Sequence, residues 1–269
     1  MKLLNGRELA DYIKQRQVQQ VRGLIQSHSV HPKLAIVQVK DDPVIDTYVR
    51  LKKKYGADLD VEVESYHPTQ DEAPKVIAEL NDDPSIHGII VQLPLADPTE
   101  TDKIVNLVAP NKDVDALGET AIFEPATPMA IMWLLAGYNV SLAGKKVLLI
   151  GRGKLVGAPL EKILKASGIE VSIADRNTED LATETAAADI IITATGSPAI
   201  LYPDMIKEGA VVVDAGVASE DGKTVGDVAP ELYERDDLTI TPEKGGVGPL
   251  TVCALFENVI RAARQASLD

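Results

Sequence analysis

The second half of the chain alternates short apolar runs with segments of helical spacing, and this alternation narrows the possible folds more than any other feature. The apolar runs end at Ile150, Ala174, Ala194 and Asp214. Strands that alternate with helices are typical of βαβ units in a parallel sheet. Hydrophobic residues make up 45% of the sequence but aromatic residues only 4%, so the core must consist of Val, Ile, Leu and Ala. Such a core suits buried parallel strands, and the sequence therefore predicts an α/β fold.

The first half repeats this pattern less regularly. Strands are predicted in the first half over 34–39, 61–66 and 87–93, and helices over 6–27, 44–57, 72–81 and 101–108. In the rest of the chain helices are predicted over 129–137 and 159–167, near Thr178 and Pro203, and over 251–266. An irregular stretch, 116–126, separates the halves. We therefore predict two αβ domains flanking a cleft. The first covers 1–118 plus 251–269, and the second, a Rossmann-like doubly wound parallel sheet, covers 119–250.

Charge, hydropathy and cysteine content argue against several classes of protein. The chain has 27 Lys and Arg against 41 Asp and Glu, a net charge of −14, and so acidic a surface repels nucleic-acid phosphates. Its apolar runs are far shorter than the roughly 18 residues of a membrane span. Cys253 is the single cysteine, which excludes an intramolecular disulfide and a cysteine metal cluster. The opening segment turns polar after four residues, unlike a signal peptide, so we expect a cytoplasmic protein without metal, membrane or nucleic-acid partners.

A glycine-rich loop follows the run that ends at Ile150. Gly151, Gly153 and Gly157 stand between that strand and a helix, an arrangement that permits a tight turn and close approach of backbone to a pyrophosphate. The N-terminus of the following helix offers free N–H groups and a positive dipole end to the same anion. The spacing is GxGxxxG rather than GxGxxG, so an ordinary glycine turn is the alternative. The surrounding strand, helix and second strand favour a dinucleotide site.

The residues expected near the 2′ position of a dinucleotide carry mixed signals. Asp175 ends the second strand of this half, and an acid there usually bonds a ribose 2′-hydroxyl and favours NAD. Arg152 and Arg176 could instead grip a 2′-phosphate, which favours NADP. Each arginine could also be a solvated surface charge, so these residues alone leave the choice open.

Further glycine turns follow the later strands. They hold Thr195 and Gly196 in ATGSP, Gly216 in DAGV, and Gly246 and Pro249 in GGVGP. Ligands of open α/β sheets bind beyond the carboxyl ends of the strands, where small residues keep a crevice open for a nicotinamide ring. Each turn alone is ordinary, but together they indicate a cofactor crevice.

The first half holds a candidate proton-transfer group. Tyr48 and Lys52 are four residues apart and so share one helix face, and a lysine whose pKa is lowered can move protons. Gln92 is a polar residue inside the apolar run VQLPL, and a buried amide needs partners. Asp113 and Asp115 in KDVD could accept two hydrogen bonds from a planar heterocycle edge. The alternatives are a solvated lysine run, a loop amide and an Asx turn.

Together these segments resemble the bifunctional methylenetetrahydrofolate dehydrogenase/methenyltetrahydrofolate cyclohydrolase family. The matching blocks follow the family's order along nearly the whole chain: YVRLK, GIIVQLPL, PNKDVDAL, PATP, LLIGRGKLVGAPL, ATGSP and GGVGPLTV. The resemblance implies oxidation of 5,10-methylenetetrahydrofolate to the methenyl form and its hydrolysis to 10-formyltetrahydrofolate. We expect NADP as the cofactor, with NAD possible because of Asp175. The resemblance also implies a homodimer through the cofactor domains.

The resemblance also implies a role for each residue singled out. Lys52 is the expected proton-transfer group in hydrolysis, Gln92 tunes it, and Tyr48 and Asp115 shape the folate site and anchor the pterin; these four are the expected catalytic residues. The expected substrate-binding residues are Tyr48, Gln92, Leu93, Pro94, Asp115, Gly246 and Pro249. The expected cofactor-binding residues are Gly151, Arg152, Gly153, Val156, Gly157, Arg176, Thr195 and Gly196.

The chain departs from the family pattern at a few positions. Lys40, Gly153 and Ala116 stand where glycine, serine and glycine are usual, and Glu243–Lys244 replaces Val-Pro. These changes concern cofactor choice and loop shape, and leave the four catalytic candidates in place. Two alternatives stay open: a dehydrogenase of a small hydroxy acid with a similar two-domain build, and a non-catalytic NAD(P)-sensing protein.

Overall fold

A computed structural model describes residues 1–220 and 223–268. It contains two compact units. The lysine unit consists of Asp11–Ala126 and Val252–Asp269, and the glycine-loop unit of Met1–Ala10 and Thr127–Thr251. Both units are built on parallel sheets. Residues 221, 222 and 269, which fall within the predicted domain ranges, lie outside the described residues.

The predicted strands and helices occur in the predicted order along the chain, with some differences that are described below. The strands are β1 (Lys2–Leu3), β2 (Lys33–Val37), β3 (Glu62–Tyr66), β4 (Gly88–Val91), β5 (Val147–Ile150), β6 (Val171–Ala174), β7 (Ile190–Thr193), β8 (Val211–Asp214), β9 (Ala218–Glu220), β10 (Lys223–Val225) and β11 (Thr239–Ile240). The helices are α1 (Gly6–His28), α2 (Pro43–Leu59), α3 (Ala73–Asp82), α4 (Thr101–Val105), α5 (Ala126–Gly137), α6 (Gly157–Ala166), α7 (Leu181–Ala187) and α8 (Val247–Ala266). Short 3₁₀ helices lie at Pro98–Glu100, Pro203–Met205 and Pro230–Glu234.

The lysine unit contains a three-stranded parallel sheet in the order β3-β2-β4. All residues of β4 and all residues of β2 after Lys33 are buried, because helices cover the faces of a parallel sheet. The register pairs Val37 with Val91, so both strands end side by side. A parallel bridge between Ile89 and Asp113 places the KDVD segment next to β4. The sheet therefore brings the segments that carry Gln92 and Asp115 together.

The glycine-loop unit contains a six-stranded sheet in the order β1-β11-β8-β7-β5-β6, and every neighbouring pair is parallel. The chain runs from β5 outward to β6 and then crosses back to β7 on the other side of β5. In such doubly wound sheets the loops after the two strands at this reversal form the ligand-binding edge. Here these are the loops after β5 and β7. The predicted Rossmann-like parallel sheet is confirmed.

Three local features differ from the sequence expectation. The predicted division places residues 1–10 with the first domain, but Leu4 N donates to Ile240 O at 2.8 Å, so β1 joins the other sheet. The helix predicted near Pro203 is only a three-residue 3₁₀ turn. The Arg235 guanidinium takes the carbonyls of Pro203 and Ile206, at 2.8 and 2.6 Å, that a longer helix would use. The four short strands β1, β9, β10 and β11 are also absent from the prediction.

Candidate active site

Lys52 lies on the buried stripe of α2 rather than on its solvated face. The buried residues Ile45, Val49, Gly56 and Leu59 mark this stripe, and Lys52 occupies the position between Val49 and Gly56 at the same helical spacing. Helix α2 begins after Asp42, whose carboxylate accepts from Val44 N at 2.8 Å. The following two lysines are exposed. Helical periodicity thus distinguishes Lys52 from its neighbours.

Gln92 is the hydrogen-bond partner of this lysine. Lys52 Nζ donates to Gln92 Oε1 at 2.8 Å, and Gln92 Nε2 donates to Leu93 O at 3.0 Å. The second bond orients the amide so that its oxygen faces the ammonium. Gln92 is itself fixed by its backbone N–H, which donates to Val37 O at 2.8 Å. This half-buried amide therefore has a hydrogen-bond partner for both its oxygen and its nitrogen.

Burial and charge act on Lys52 and Asp115 in opposite directions. Burial lowers the pKa of Lys52, and the nearby Asp115 carboxylate opposes this change. Burial likewise raises the pKa of Asp115, and Lys52 opposes that change. A lysine whose neutral form is favoured in this way can accept a proton more readily than one in water.

The two aspartates of KDVD have different surroundings. Asp113 is buried, and its carboxylate accepts from Gly118 N at 2.8 Å and from Leu117 N at 3.4 Å. It braces the loop, which is the Asx-type use that the sequence left open. Asp115 is the one whose charge acts on Lys52. The structure thus separates a loop-bracing aspartate from the candidate site aspartate.

Asn258 of α8 supports this loop and was not predicted. Its side chain is fully buried, and Nδ2 donates to Val114 O at 2.9 Å and to Glu124 O at 2.8 Å. Val114 directly precedes Asp115, so this amide holds the backbone that presents the carboxylate. A polar residue on the apolar face of a predicted helix is the signal that could have identified it.

The remaining substrate candidates of the lysine unit lie near these groups in sequence. Tyr48 stands one helical turn before Lys52 and is 39% exposed, so its ring is open to a ligand. Leu93 and Pro94 follow β4; the first is half-buried and the second exposed. Gly246 and Pro249 belong instead to the glycine-loop unit, at the start of α8.

The glycine loop after β5 is tightly packed at two of its three glycines. Gly151 has φ +96°, and a Cβ there would lie 2.7 Å from Ala194 O, so the loops after β5 and β7 touch. A Cβ on Gly157 would lie 2.1 Å from Gly151 O, whereas a Cβ on Gly153 would meet nothing within 4 Å. Gly151 and Gly157 are therefore required by sterics, and Gly153 is not. Val156 directly precedes α6, which begins two residues earlier than the predicted start at residue 159.

A buried carboxylate braces the loop after β7. Asp227 is fully buried and accepts from Thr195 N at 2.8 Å and Ser197 N at 3.0 Å. Burial raises the pKa of Asp227, although these hydrogen bonds oppose the change. Gly196 lies between its two donors with φ +65°. The sequence analysis found this turn but not the aspartate that holds it, because Asp227 lies 32 residues from Thr195.

A surface pocket of about 330 Å³ opens beside the glycine loop. Its lining residues are Arg152, Glu161, Ile173, Asp175, Asn177 and Thr178. Arg152 Nε donates to Glu161 Oε2 at 2.6 Å, and Asp175 Oδ1 accepts from Asn177 N at 2.8 Å. Arg176 is exposed and does not line the pocket. The structure thus brings Arg152 and Asp175, but not Arg176, to one pocket.

Comparison with known families decides what these two units are. The catalytic-domain model of the tetrahydrofolate dehydrogenase/cyclohydrolase family matches residues 4–115, and its NAD(P)-binding-domain model matches residues 125–267. The chain belongs to the tetrahydrofolate dehydrogenase/cyclohydrolase family. The family resemblance predicted from the sequence is confirmed.

Individual relatives agree along the full length. The bifunctional protein FolD of Campylobacter jejuni is 38% identical over 279 positions that cover 98% of this chain and 99% of that protein. The crystal structure of the Campylobacter jejuni bifunctional enzyme FolD has a TM-score of 0.91 at 37% identity and covers 98% of this chain and 99% of its own. The Trypanosoma brucei enzyme, solved with NADP and an inhibitor, has a TM-score of 0.92 at 29% identity, with coverages of 98% and 97%.

Family membership confirms the predicted enzyme class. The protein is a methylenetetrahydrofolate dehydrogenase and methenyltetrahydrofolate cyclohydrolase, with tetrahydrofolate derivatives as substrates. The full-length match decides against both alternatives, the small hydroxy acid dehydrogenase and the non-catalytic sensor. The roles of individual residues stay predictions. Among the described residues, there is no group of three or more His, Cys, Asp or Glu side chains that could hold a metal ion. No helix of the described chain is long and apolar enough to cross a membrane.

Proposed function

We propose that Lys52, Gln92, Asp115 and Tyr48 carry the folate chemistry of this enzyme and that the loops after β5 and β7 hold NADP. The observation that carries the proposal is the 2.8 Å hydrogen bond from the half-buried Lys52 ammonium to Gln92. Through this bond Lys52 contacts the side-chain amide of Gln92, and the charge of the Asp115 carboxylate also acts on Lys52.

The glycine loop fits a dinucleotide. A side chain at Gly157 would collide with the carbonyl of Gly151, so the loop folds back closely on the start of α6 and leaves its backbone open to an anion. Gly151, Val156, Gly157, Thr195 and Gly196 would hold the cofactor. When bound, the cofactor accepts a hydride from the methylene carbon of the folate. The protein's contribution to this step is position, since it needs no acid or base.

NADP is the proposed form of the cofactor. The Trypanosoma brucei relative binds NADP, and Arg152 lines the pocket beside the glycine loop in this chain. A guanidinium suits a phosphate because it presents paired N–H donors. Arg176 is the second candidate for the same phosphate. Asp175 is the opposing signal, because a carboxylate at this position suits a ribose hydroxyl.

Hydrolysis requires that protons be moved. Water adds to the cationic methenyl carbon and loses one proton, which gives a neutral hydroxyl adduct. The bond from that carbon to N5 then breaks as the hydroxyl loses its proton to form the formyl carbonyl and N5 gains a proton. The products are 10-formyltetrahydrofolate and one released proton. Lys52 is the group proposed to take the proton from water, because burial favours its neutral form. Gln92 holds its Nζ in place, Asp115 anchors the pterin ring, and Tyr48, Leu93 and Pro94 complete the folate site of the lysine unit. Gly246 and Pro249, which the family resemblance adds as folate-binding residues, belong to the glycine-loop unit.

The proposal extends to assembly and location. We infer a homodimer through the cofactor domains, which the family resemblance implies, and a cytoplasmic enzyme, which the short apolar runs of the sequence favour. Analytical ultracentrifugation of the purified chain tests the dimer, and fractionation of the source cells tests the location.

The direct test measures both reactions on the purified protein. We expect reduction of NADP+ that depends on methylenetetrahydrofolate, and decay of methenyltetrahydrofolate faster than in buffer. A parallel assay with small hydroxy acids such as malate and shikimate should show no reduction of either cofactor. Binding of NADP+ without turnover of any folate would contradict the proposal and would favour a sensing role.

A further inference from the structure

Glu161 is an acidic side chain in the cofactor pocket that neither reaction uses. It lies on α6, four residues after Gly157, and is only 6% exposed. Its two carboxylate oxygens accept from different cations: Oε2 from Arg152 Nε at 2.6 Å and Oε1 from Lys165 Nζ at 2.7 Å. Both it and Arg152 line the pocket of about 330 Å³ beside the glycine loop.

We propose that Glu161 is a specificity-determining residue that weakens binding of a cofactor carrying a 2′-phosphate relative to one carrying a 2′-hydroxyl. The inference deepens the proposed function and rests on the use of this pocket for the ribose end of the cofactor. Arg152 attracts a phosphate to this pocket, and Glu161 weakens that attraction.

The charges lining the pocket support this direction. One lining side chain is positive, Arg152, and two are negative, Glu161 and Asp175. Arg152 Nε already donates to Glu161, and the carboxylate neutralises the positive charge of the guanidinium. A phosphate must therefore compete with Glu161 for Arg152. A phosphate monoester carries about −1.5 to −2 charges at pH 7, so it meets repulsion from both carboxylates. A ribose hydroxyl is neutral, and it can donate to the Asp175 carboxylate, which is independent of Glu161.

Lys165 explains why Glu161 keeps its charge in this buried position. Hydrogen bonds from Lys165 and then from Arg152 lower the pKa of Glu161. The Lys165 side chain is 59% exposed and does not line the pocket, so its charge is largely screened by solvent there. The carboxylate therefore stays ionised next to the place where the phosphate would sit.

The test compares equilibrium binding rather than turnover. Glu161→Gln removes the charge but keeps an oxygen that can accept from Arg152 Nε, so the position of the guanidinium is preserved. Glu170→Gln is the matched control, because it removes one acidic charge from the residue before β6, at the opposite end of that strand from Asp175. Titration calorimetry then gives Kd for NADP+ and for NAD+ with the wild type and both variants.

We expect E161Q to lower Kd for NADP+ about ten-fold, because it removes a like-charge contact with the phosphate, and to leave Kd for NAD+ unchanged. E170Q should change neither constant. An unchanged Kd for NADP+ in E161Q would overturn the inference. A raised Kd for NADP+ would overturn it too, because Glu161 would then serve the phosphate by orienting Arg152.

The outcome also separates this inference from the proposed cofactor. A wild type that binds only NAD+ would refute the proposed use of NADP, yet a gain of NADP+ affinity in E161Q would still support the role of Glu161. Retained cyclohydrolase activity shows that E161Q is folded, since the residues proposed for hydrolysis lie mainly in the lysine unit.

Discussion

The glycine loop makes a sharp prediction, because two of its glycines differ completely in the space around them. A Cβ on Gly157 would lie 2.1 Å from Gly151 O, a backbone atom that cannot rotate away. Real Cβ contacts are essentially never under 3.0 Å, so Gly157→Ala must displace this carbonyl or α6 by at least the 0.9 Å difference. Gly153 has no neighbour within 4 Å of a Cβ, so Gly153→Ala requires no displacement.

The displacement translates into a range of affinity. Forcing an extra methyl into a packed site costs typically about 1–3 kcal/mol, which corresponds to roughly five-fold to more than a hundred-fold in a binding constant. Because the displaced carbonyl belongs to the loop proposed to hold the cofactor, we expect Kd for NADP+ to rise within this range in Gly157→Ala. Alanine favours helix more than glycine does, so a loss cannot be attributed to poorer helix formation in α6.

Calorimetric titration of NADP+ into the wild type, Gly157→Ala and Gly153→Ala measures the effect. Gly153→Ala should bind like the wild type. Cyclohydrolase activity should persist in both variants, because the Lys52 site lies in the other unit, and it reports that the chain is folded. Wild-type affinity in Gly157→Ala, or an equal loss in Gly153→Ala, would refute the steric argument.

Three further predictions concern the lysine site and acid stability. Lys52→Met should lower the cyclohydrolase rate by at least about 100-fold while measurable dehydrogenase activity persists, and equal loss of both would contradict its role. Asn258→Leu leaves the buried Val114 carbonyl and the part-buried Glu124 carbonyl without this donor, so the free energy of unfolding should fall by roughly 1–3 kcal/mol. The loosened Asp115 should raise Kd for folate but not for NADP+. The Arg235 hydrogen bond lowers the pKa of Asp237 in the folded state, so that pair stabilises above the unfolded pKa of about 3.9 and is lost as pH falls below it. The Tm deficit of Asp237→Asn at neutral pH should therefore shrink in acid, whereas a constant deficit would contradict this pKa.

The sequence predicts the α/β fold and the strands that surround the site because these follow from local patterns. Apolar runs before Gly151 and Gln92 predict buried strands, and glycine at Gly151 and Gly157 reflects a backbone that no side chain could share. The helical spacing of Ile45, Val49 and Leu59 also predicts that Lys52 lies on the same face of α2 as these buried residues. The prediction near Pro203 was wrong because a distant arginine takes the local carbonyls.

What only the tertiary structure decided is which polar side chains meet. The Val114 carbonyl finds its partner Asn258 144 residues away, and that contact holds the segment that presents Asp115. Asp113 and Asp115 stand in the same short KDVD motif but have different partners. The Asp115 carboxylate acts on the charge of Lys52, whereas the Asp113 carboxylate accepts a hydrogen bond from Gly118 N. Arg152 of the glycine loop donates to Glu161 of α6. The arginine predicted to bind a phosphate is therefore already paired with a carboxylate. Hydrophobic periodicity specifies the strands and helices locally, but polar pairs form between elements that packing brings together, and their identity is absent from any local pattern.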